Sequence, residues 1–385
     1  MTRTFTQSEA LWKRAETVIP GGSQTLSKTP KMFVPGHYPK FLERGDGCTV
    51  WDVDGHRYTD YILGLASITL GYNHPAVTEA VCRQMRDGSI FSLPHRLETE
   101  VAEQLCEIIP CAEQVRFLKT GAEANRAAIE IAKAATGRDE VLSCGYHGWH
   151  VEQYLPTFDY NDLTSFSALV KSYRGRLAAV ILEPTLVMPP YRGFLENVCE
   201  QTREAGALVI FDELVTGFRW ALGGAQEYYG LTPDLAVFGK GRANGLPLAA
   251  VVGPRTLMSA LDHVFVSSTF GGETLSLAAA KATIQVYRTE PVIGYLWVRG
   301  GEFRNGFNRL AQELGAPLWC EGSAVHPKIA CQTPALMDRW LAATAQRGQL
   351  FHRAGFNISY AHTKQTITET LDVCRLVMRE LLAQA

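Results

Sequence analysis

Between about residue 60 and residue 285 the apolar positions follow two alternating rhythms. Short runs in which nearly every residue is apolar, "VRFLKTG", "LAAVILEP", "ALVIFDE", "LAVFGKG" and "AAVVG", alternate with helical stretches such as "AEANRAAIEIAKAATG" and "LENVCEQTREAG". Brief apolar runs closed by Gly, Pro or Asp predict strands with both faces covered, and recurrence every three or four residues predicts helices. Their alternation predicts an α/β fold: a mainly parallel central sheet with helices on both faces. Ahead of this block, "GCTVWDVDGHRYTDY" carries Asp54-Gly55, the signal of a hairpin turn. Behind it, the chain ends in the helical "TITETLDVCRLVMRELLAQA". The flanking segments, 1–60 and 286–385, are expected to pack as a smaller α+β domain beside a large domain of residues 61–285. No internal repeat, low-complexity tract or Pro/Gly/Ser-rich linker sets off an independent module.

Composition narrows the function classes. At 385 residues, 46% hydrophobic and 20% charged, the chain can build a large core and two domains in the ordinary globular manner. A net charge of −2, with no dense Lys/Arg patch, leaves no electrostatic footprint for nucleic acid or an anionic membrane. Small molecules and a second copy of the chain are the expected partners. The nine cysteines, scattered from Cys48 to Cys374 with no C-x-x-C pair, fit reduced thiols in the cytoplasm better than a disulfide framework or a structural zinc site. The N-terminal "MTRTFTQSEALWKRAETVIPGG" has no leader-like apolar region, and no stretch reaches the roughly 18 apolar residues of a membrane span, so the protein is expected to stay where it is made.

In open sheets of this kind ligands bind beyond the carboxyl ends of the strands, so the polar residues closing each run carry the chemistry. Asp212 closes Leu208 to Phe211, which sets its carboxylate at that edge or makes it a helix N-cap. Lys240 follows Leu235 to Phe238, between Gly239 and Gly241. A P-loop would need glycine where Asp234 stands and Ser or Thr where Gly241 stands; the spacing G-x-G-x-x-x-G also fails the dinucleotide fingerprint. A lysine in a glycine-rich turn can be a plain surface residue, but an acid and an amine closing two strands suggest paired chemistry. Thr120-Gly121-Ala122 opens a helix, where free N–H groups and the dipole attract an anion such as phosphate. In "GYHGWH", His147 and His150 lack a third metal ligand at suitable spacing, and Tyr146 is better used as a ring facing a flat ligand.

Taken in order, Thr120-Gly121-Ala122, Tyr146-His147-Gly148, Glu183-Pro184, Asp212-Glu213, Lys240 and Ser268-Thr269 resemble the class III aminotransferases, fold type I enzymes that use pyridoxal phosphate (PLP). "VIPGGSQTLSK", "LGYNHPAV", "FDELVTGFRWALGGAQEYYGLTPDLAVFGK" and "ISYAHT" resemble the glutamate-1-semialdehyde aminomutase branch. The resemblance implies that Lys240 forms the Schiff base with the cofactor and carries the proton, with pyridoxamine phosphate as the intermediate form. It implies that Asp212 pairs with the pyridine nitrogen, that Leu214 and Tyr146 flank the ring, and that Thr120, Gly121 and Ala122 hold the phosphate. Thr269, with Ser268 beside it, would reach the partner subunit's phosphate in a homodimer with shared sites, and Glu183 would stand toward the substrate. Three features depart from the aminomutase pattern. About a dozen residues separate Gly148 from Tyr160 where a long gating loop belongs, Lys28 stands nearest to a missing carboxylate-binding arginine, and Leu214 replaces a valine. A lid that short cannot sequester a small reactive aldehyde, and lysine lacks the bidentate fork for carboxylate. These departures point to transamination of a larger oxo substrate. The short loop and the "KGxANG"-like lysine segment resemble enzymes that aminate oxidised sugars in antibiotic or surface-polysaccharide pathways, with L-glutamate or another amino acid as donor. The alternative is the aminomutase reaction itself.

Overall fold

A computed structural model describes residues 3–151 and 155–384. The chain forms two compact units, Met1–His74 with Gly294–Ala385, and Pro75–Ile293. No helix among the described residues is long and apolar enough to cross a membrane.

The first unit is built on the antiparallel strands β1 (Leu42–Asp46), β2 (Thr49–Asp52) and β3 (Arg57–Asp60). Asp54-Gly55 makes the turn between β2 and β3, with Gly55 at φ 86°. The buried Asp52 carboxylate locks that turn by accepting from the His56 and Asp54 N–H groups and from the Tyr58 hydroxyl. The later part of the chain adds a second hairpin, Leu318–Ser323 paired with His326–Cys331, and a short strand, Gln349–Leu350, parallel to β3. Tyr61, Phe303, Phe351 and Phe356 interlock in the core, with Tyr61 and Phe351 stacked at 4.7 Å.

The second unit carries the six-stranded sheet: β4 (Gln114–Leu118), β5 (Glu140–Cys144), β6 (Leu177–Leu182), β7 (Leu208–Asp212), β8 (Leu235–Phe238) and β9 (Ala249–Gly253), in the order β4-β9-β8-β7-β6-β5. β5 to β8 run parallel, whereas "AAVVG" (β9) lies antiparallel to both β8 and β4. The connection explains this. The ten residues 239–248 between β8 and β9 contain no α-helix and are too few for a parallel crossover. Two antiparallel pairings in succession turn β4 back to the direction of β8. The carboxyl ends of β4, β5, β6, β7 and β8 therefore open on one edge.

Both sheet faces are covered. Ala179 and Ile181, Leu235 and Val237, and Ala249 and Val251 share one core with Ala124, Ala127, Ala128, Ile131 and Ala132 of the Gly121–Thr136 helix. The residues between them, Val180, Val209, Phe211, Ala236 and Phe238, are also fully buried. The alanine-rich face lets the helix lie close to the sheet, which brings its N-terminus to the carboxyl edge. A capping box fixes that start: Thr120 Oγ1 accepts from the Glu123 N–H, and Glu123 Oε2 accepts from the Thr120 N–H at 2.8 Å.

The segment after β7 is held by Glu213, whose fully buried carboxylate accepts from Thr216 Oγ1 and from the N–H groups of Ala225 and Gln226 at 2.6 and 2.9 Å. Glu213→Ala leaves these donors buried without an acceptor, a loss of about 3 kcal/mol or more. A drop in melting temperature of several degrees is expected; an unchanged melt would contradict this role for Glu213.

Candidate active site

Five strand ends supply the site. Asp212, the last residue of β7, is 2% exposed and has its carboxylate fixed from three directions. Oδ2 accepts from Asn125 Nδ2 at 2.7 Å and from His147 Nδ1 at 2.8 Å, and Oδ1 accepts from the Leu214 N–H at 3.1 Å. Asp212 thus belongs to an Asx-type turn rather than capping a helix. Asn125 comes from the first turns of the helix that follows β4, and His147 from the loop that follows β5. The same Nδ2 of Asn125 also donates to the His147 carbonyl at 3.1 Å.

Lys240 follows β8 in a tight turn. It is a non-glycine residue at φ 43°, and Asn244 at φ 42° closes the same turn. Left-handed backbone at a residue with a Cβ costs on the order of 1 kcal/mol and gathers at functional sites. The half-buried amine makes no hydrogen bond or ion pair among the described residues. Burial lowers its pKa further than the facing charges of Asp212 and Glu183 can restore it, and Arg219 adds to the lowering. Arg242, two residues on, is fully buried with its guanidinium over the Phe117 ring at 5.7 Å, and burial brings it down to about 9.

Glu183, which follows β6, accepts the Tyr146 N–H at 2.8 Å. Burial, and then the negative charge of Asp212, push its carboxyl up to about 7. For His147, burial acts downward, but the hydrogen bond and charge of Asp212 outweigh it and hold the imidazole above its usual value. The charge of Asp212 therefore acts on Glu183, His147 and Lys240 alike.

Close packing brings in the other strand ends. A Cβ at Gly121 would collide with Leu214 Cδ1, and one at Gly239 would meet Leu214 Cδ2 at 2.6 Å, so Leu214 sits between the helix start and the lysine turn. A Cβ at Gly148, at φ +90°, would come within 2.5 Å of Ala122. Thr120 is exposed, and its hydroxyl is engaged with Glu123, while the first N–H groups of the helix, at Gly121 and Ala122, lack intrahelical acceptors. The Tyr146 side chain is 60% exposed.

The remaining predicted residues are Ser268, Thr269 and Lys28. Ser268 and the exposed Thr269 lie on the loop before the Thr274–Thr289 helix, and no hydrogen bond among the described residues joins them to Asp212 or Lys240. Lys28 belongs to the first unit, exposed at the end of a short turn and lining a cavity of about 480 Å³ with Trp12, Phe33, Tyr38 and Tyr72. The short loop after Gly148 includes residues 152–154, which lie outside the described residues. Sequence reasoning gave no role to Asn125 and weighed His147 as a metal ligand alone. The available signal for Asn125 was a polar residue on an otherwise alanine-rich helix face.

Comparisons with known proteins bear on the family of the chain. The family profile "Aminotransferase class-III" matches residues 34–154 and 151–314. A 3-aminobutyryl-CoA aminotransferase from Cloacimonas acidaminovorans is 33% identical over 97% of both chains. A glutamate-1-semialdehyde 2,1-aminomutase from Roseiflexus castenholzii is 36% identical over 97% of this chain and 98% of its own. Among solved structures, the FumI protein of Sphingopyxis sp. MTA144 with PLP superposes with a TM-score of 0.93 at 28% identity, covering 98% of this chain and 97% of that one. With its fold type I architecture, the chain belongs to the class III aminotransferases, enzymes that depend on PLP.

Proposed function

We propose that this enzyme transfers an amino group from an amino-acid donor, L-glutamate, to a sugar-derived aldehyde or ketone of antibiotic or polysaccharide biosynthesis, with Lys240 and Asp212 as its catalytic residues. The observation that carries the reading is the pairing of a buried, triply hydrogen-bonded carboxylate with a facing amine of lowered pKa at one sheet edge.

The residues present fit PLP. Asp212 keeps acceptor capacity on Oδ1 for a pyridine N–H, and the N–H groups of Gly121 and Ala122, with Thr120, suit a phosphate at a helix N-terminus. Leu214, wedged against both glycines, is suited to one face of a flat ring, and Tyr146 to the other. Lys240 would hold the cofactor covalently. PLP supplies an electron sink for bond breaking at the substrate carbon. Asp212 would pair with the ring nitrogen, its carboxylate held in place by Asn125 and His147. Lys240 moves the substrate proton: with a pKa below the ordinary lysine value, more of its amine is neutral and able to accept one. Glu183, with a carboxyl near 7, stands ready to exchange a proton on the substrate side.

Two features support a bulky polar acceptor. The short loop after Gly148 leaves the mouth more open than a long lid would. Tyr146, Trp149 and Tyr191 follow β5 and β6 with 60%, 73% and 70% of their surface exposed, flat faces that suit the C–H side of a sugar ring. The 36% identity to an aminomutase favours the second reading, amino exchange within a single substrate. We further propose a homodimer in the cytoplasm, in which Thr269 and Ser268 complete the partner's site. Phe265 and Phe270, 94% and 56% exposed, flank that pair with the apolar surface an interface needs, and all nine cysteines are free.

The test is spectroscopic. With PLP bound, L-glutamate is expected to shift absorbance from the aldehyde to the amine form of the cofactor, and an oxidised sugar to reverse the shift. Turnover of glutamate-1-semialdehyde without any separate partner would favour the aminomutase, and no change with any amino donor would overturn both readings. Lys240→Arg keeps a cation but no amine that can react, so kcat is expected to fall by at least about 10³-fold with circular dichroism unchanged.

The electrostatics give a pH dependence. Glu183 and Glu213 lie near 7 when folded, and His147 lies above its ordinary value. In each case the folded chain binds more protons than the unfolded one, so this stabilisation is present at low pH and is lost as pH rises through the folded values. The melting temperature of the cofactor-free protein is expected to fall from pH 5 to pH 8. Glu183→Gln, which still accepts the Tyr146 N–H, should flatten that slope by up to about 2 kcal/mol; an identical slope in the variant would contradict the assignment.

A further inference from the structure

We infer that Asn125 is a positioning residue that sets three cofactor contacts in register through one side-chain amide, and that it selects which oxygen of Asp212 meets the ring nitrogen. The inference rests on the assignment of Asp212 to that nitrogen.

Asn125 is fully buried in the helix whose N-terminus supplies Gly121 and Ala122. Its Nδ2 spends both hydrogens, one on Asp212 Oδ2 at 2.7 Å and one on the His147 carbonyl at 3.1 Å. The amide has one workable orientation. Flipped, it would set Oδ1 against a carboxylate and a carbonyl, two acceptors with no proton between them. In the observed orientation Asn125 Oδ1 is buried with no partner among the described residues, a cost offset by both donors facing acceptors. The amide therefore ties the phosphate-facing helix, the loop that carries Tyr146 and the β7 acid together at one point.

The second consequence concerns Asp212. Oδ2 already accepts from Asn125 and from His147 Nδ1, which fills its in-plane lone pairs. Among the described residues Oδ1 accepts from the Leu214 N–H alone, which leaves it a position that would take the pyridine N–H. Two donors on Oδ2 also favour the ionised carboxylate, which His147 supports with its charge when protonated. Asn125 would thus act on the cofactor through Asp212.

The groups facing the amide decide the test. Asn125→Asp places a second carboxylate against Asp212, with His147 and Lys240 as the nearby cations and Glu183 as a further acid. The apoprotein's affinity for added PLP, read by fluorescence quenching, is expected to weaken at least 10-fold at pH 8. Most of it should return at pH 6, where the introduced carboxyl is protonated and can donate to Oδ2. Asn125→Ala is expected to weaken PLP binding to a similar degree at both pH values and to shift the pH at which bound cofactor changes colour, because Asp212 loses a donor. A purely structural role would lower the melting temperature and leave the pH response of both readouts where it is in the wild type. Should Asn125→Ala fail to fold, the wild-type protein still decides. With selective Asn labelling, the Asn125 side-chain amide protons should resist exchange and shift on PLP binding; rapid exchange, or no shift, overturns the proposal. Asp212→Asn run in parallel separates the two failures. If it leaves PLP affinity and colour unchanged, the assignment of Asp212 falls; if it changes them while both Asn125 variants behave as wild type, this inference alone falls.

Discussion

A carboxylate held by three donors inside the protein is the constraint on which the rest of the site depends. Asp212 is 2% exposed, a position where a polar group must find hydrogen-bond partners. A buried imidazole, a side-chain amide and a backbone N–H all point at its two oxygens. The same charge then acts outward. It raises His147, raises Glu183, and partly offsets the desolvation of Lys240. In the proposed reading, a carboxylate fixed in this way would hold a proton on the ring nitrogen of an electron-withdrawing cofactor.

Topology places the other groups around that anion. Because β5 to β8 are parallel and β4 recovers their direction through β9, five carboxyl ends share one edge. Each contributes one kind of contact: helix N–H groups after β4, an aromatic and an imidazole after β5, an acid after β6, an acid at the end of β7 and an amine after β8. Close approach is enforced by the glycines at 121, 148 and 239, where a Cβ would strike Leu214 or Ala122. The backbone strain at Lys240 stays local, held by the covered strand on one side and the Asn244 turn on the other.

Much of this was legible in the sequence, for identifiable reasons. Lys240 and Asp212 end apolar runs so short and complete that they had to be buried strands, and strand ends in such sheets face ligand. The Gly121–Thr136 helix showed its start in Thr120-Gly121-Ala122, and the structure adds the capping box with Glu123 and the left-handed stop at Gly137. The direction of "AAVVG" was not legible, because a strand's composition carries no sign of its orientation; the length of the connection before it does. Asn125 and His147 were illegible as a pair, since their meeting depends on how deep the helix settles on the sheet. Glu213, next to Asp212, reads in sequence as a second strand-end acid of the same kind, whereas it turns inward to hold Thr216, Ala225 and Gln226. Thr269 is joined to Asp212 or Lys240 by no hydrogen bond among the described residues, and Lys28 belongs to the other unit.

The claim that an amine at position 240 is the covalent anchor of the cofactor has a direct chemical test. Reduction of the PLP-loaded protein with borohydride followed by peptide mass mapping should place the phosphopyridoxyl group on the peptide containing Lys240, with no adduct when Asp212→Asn or Lys240→Ala abolishes loading. A stoichiometric adduct on any other lysine of the wild-type protein, or none at all, would contradict the account.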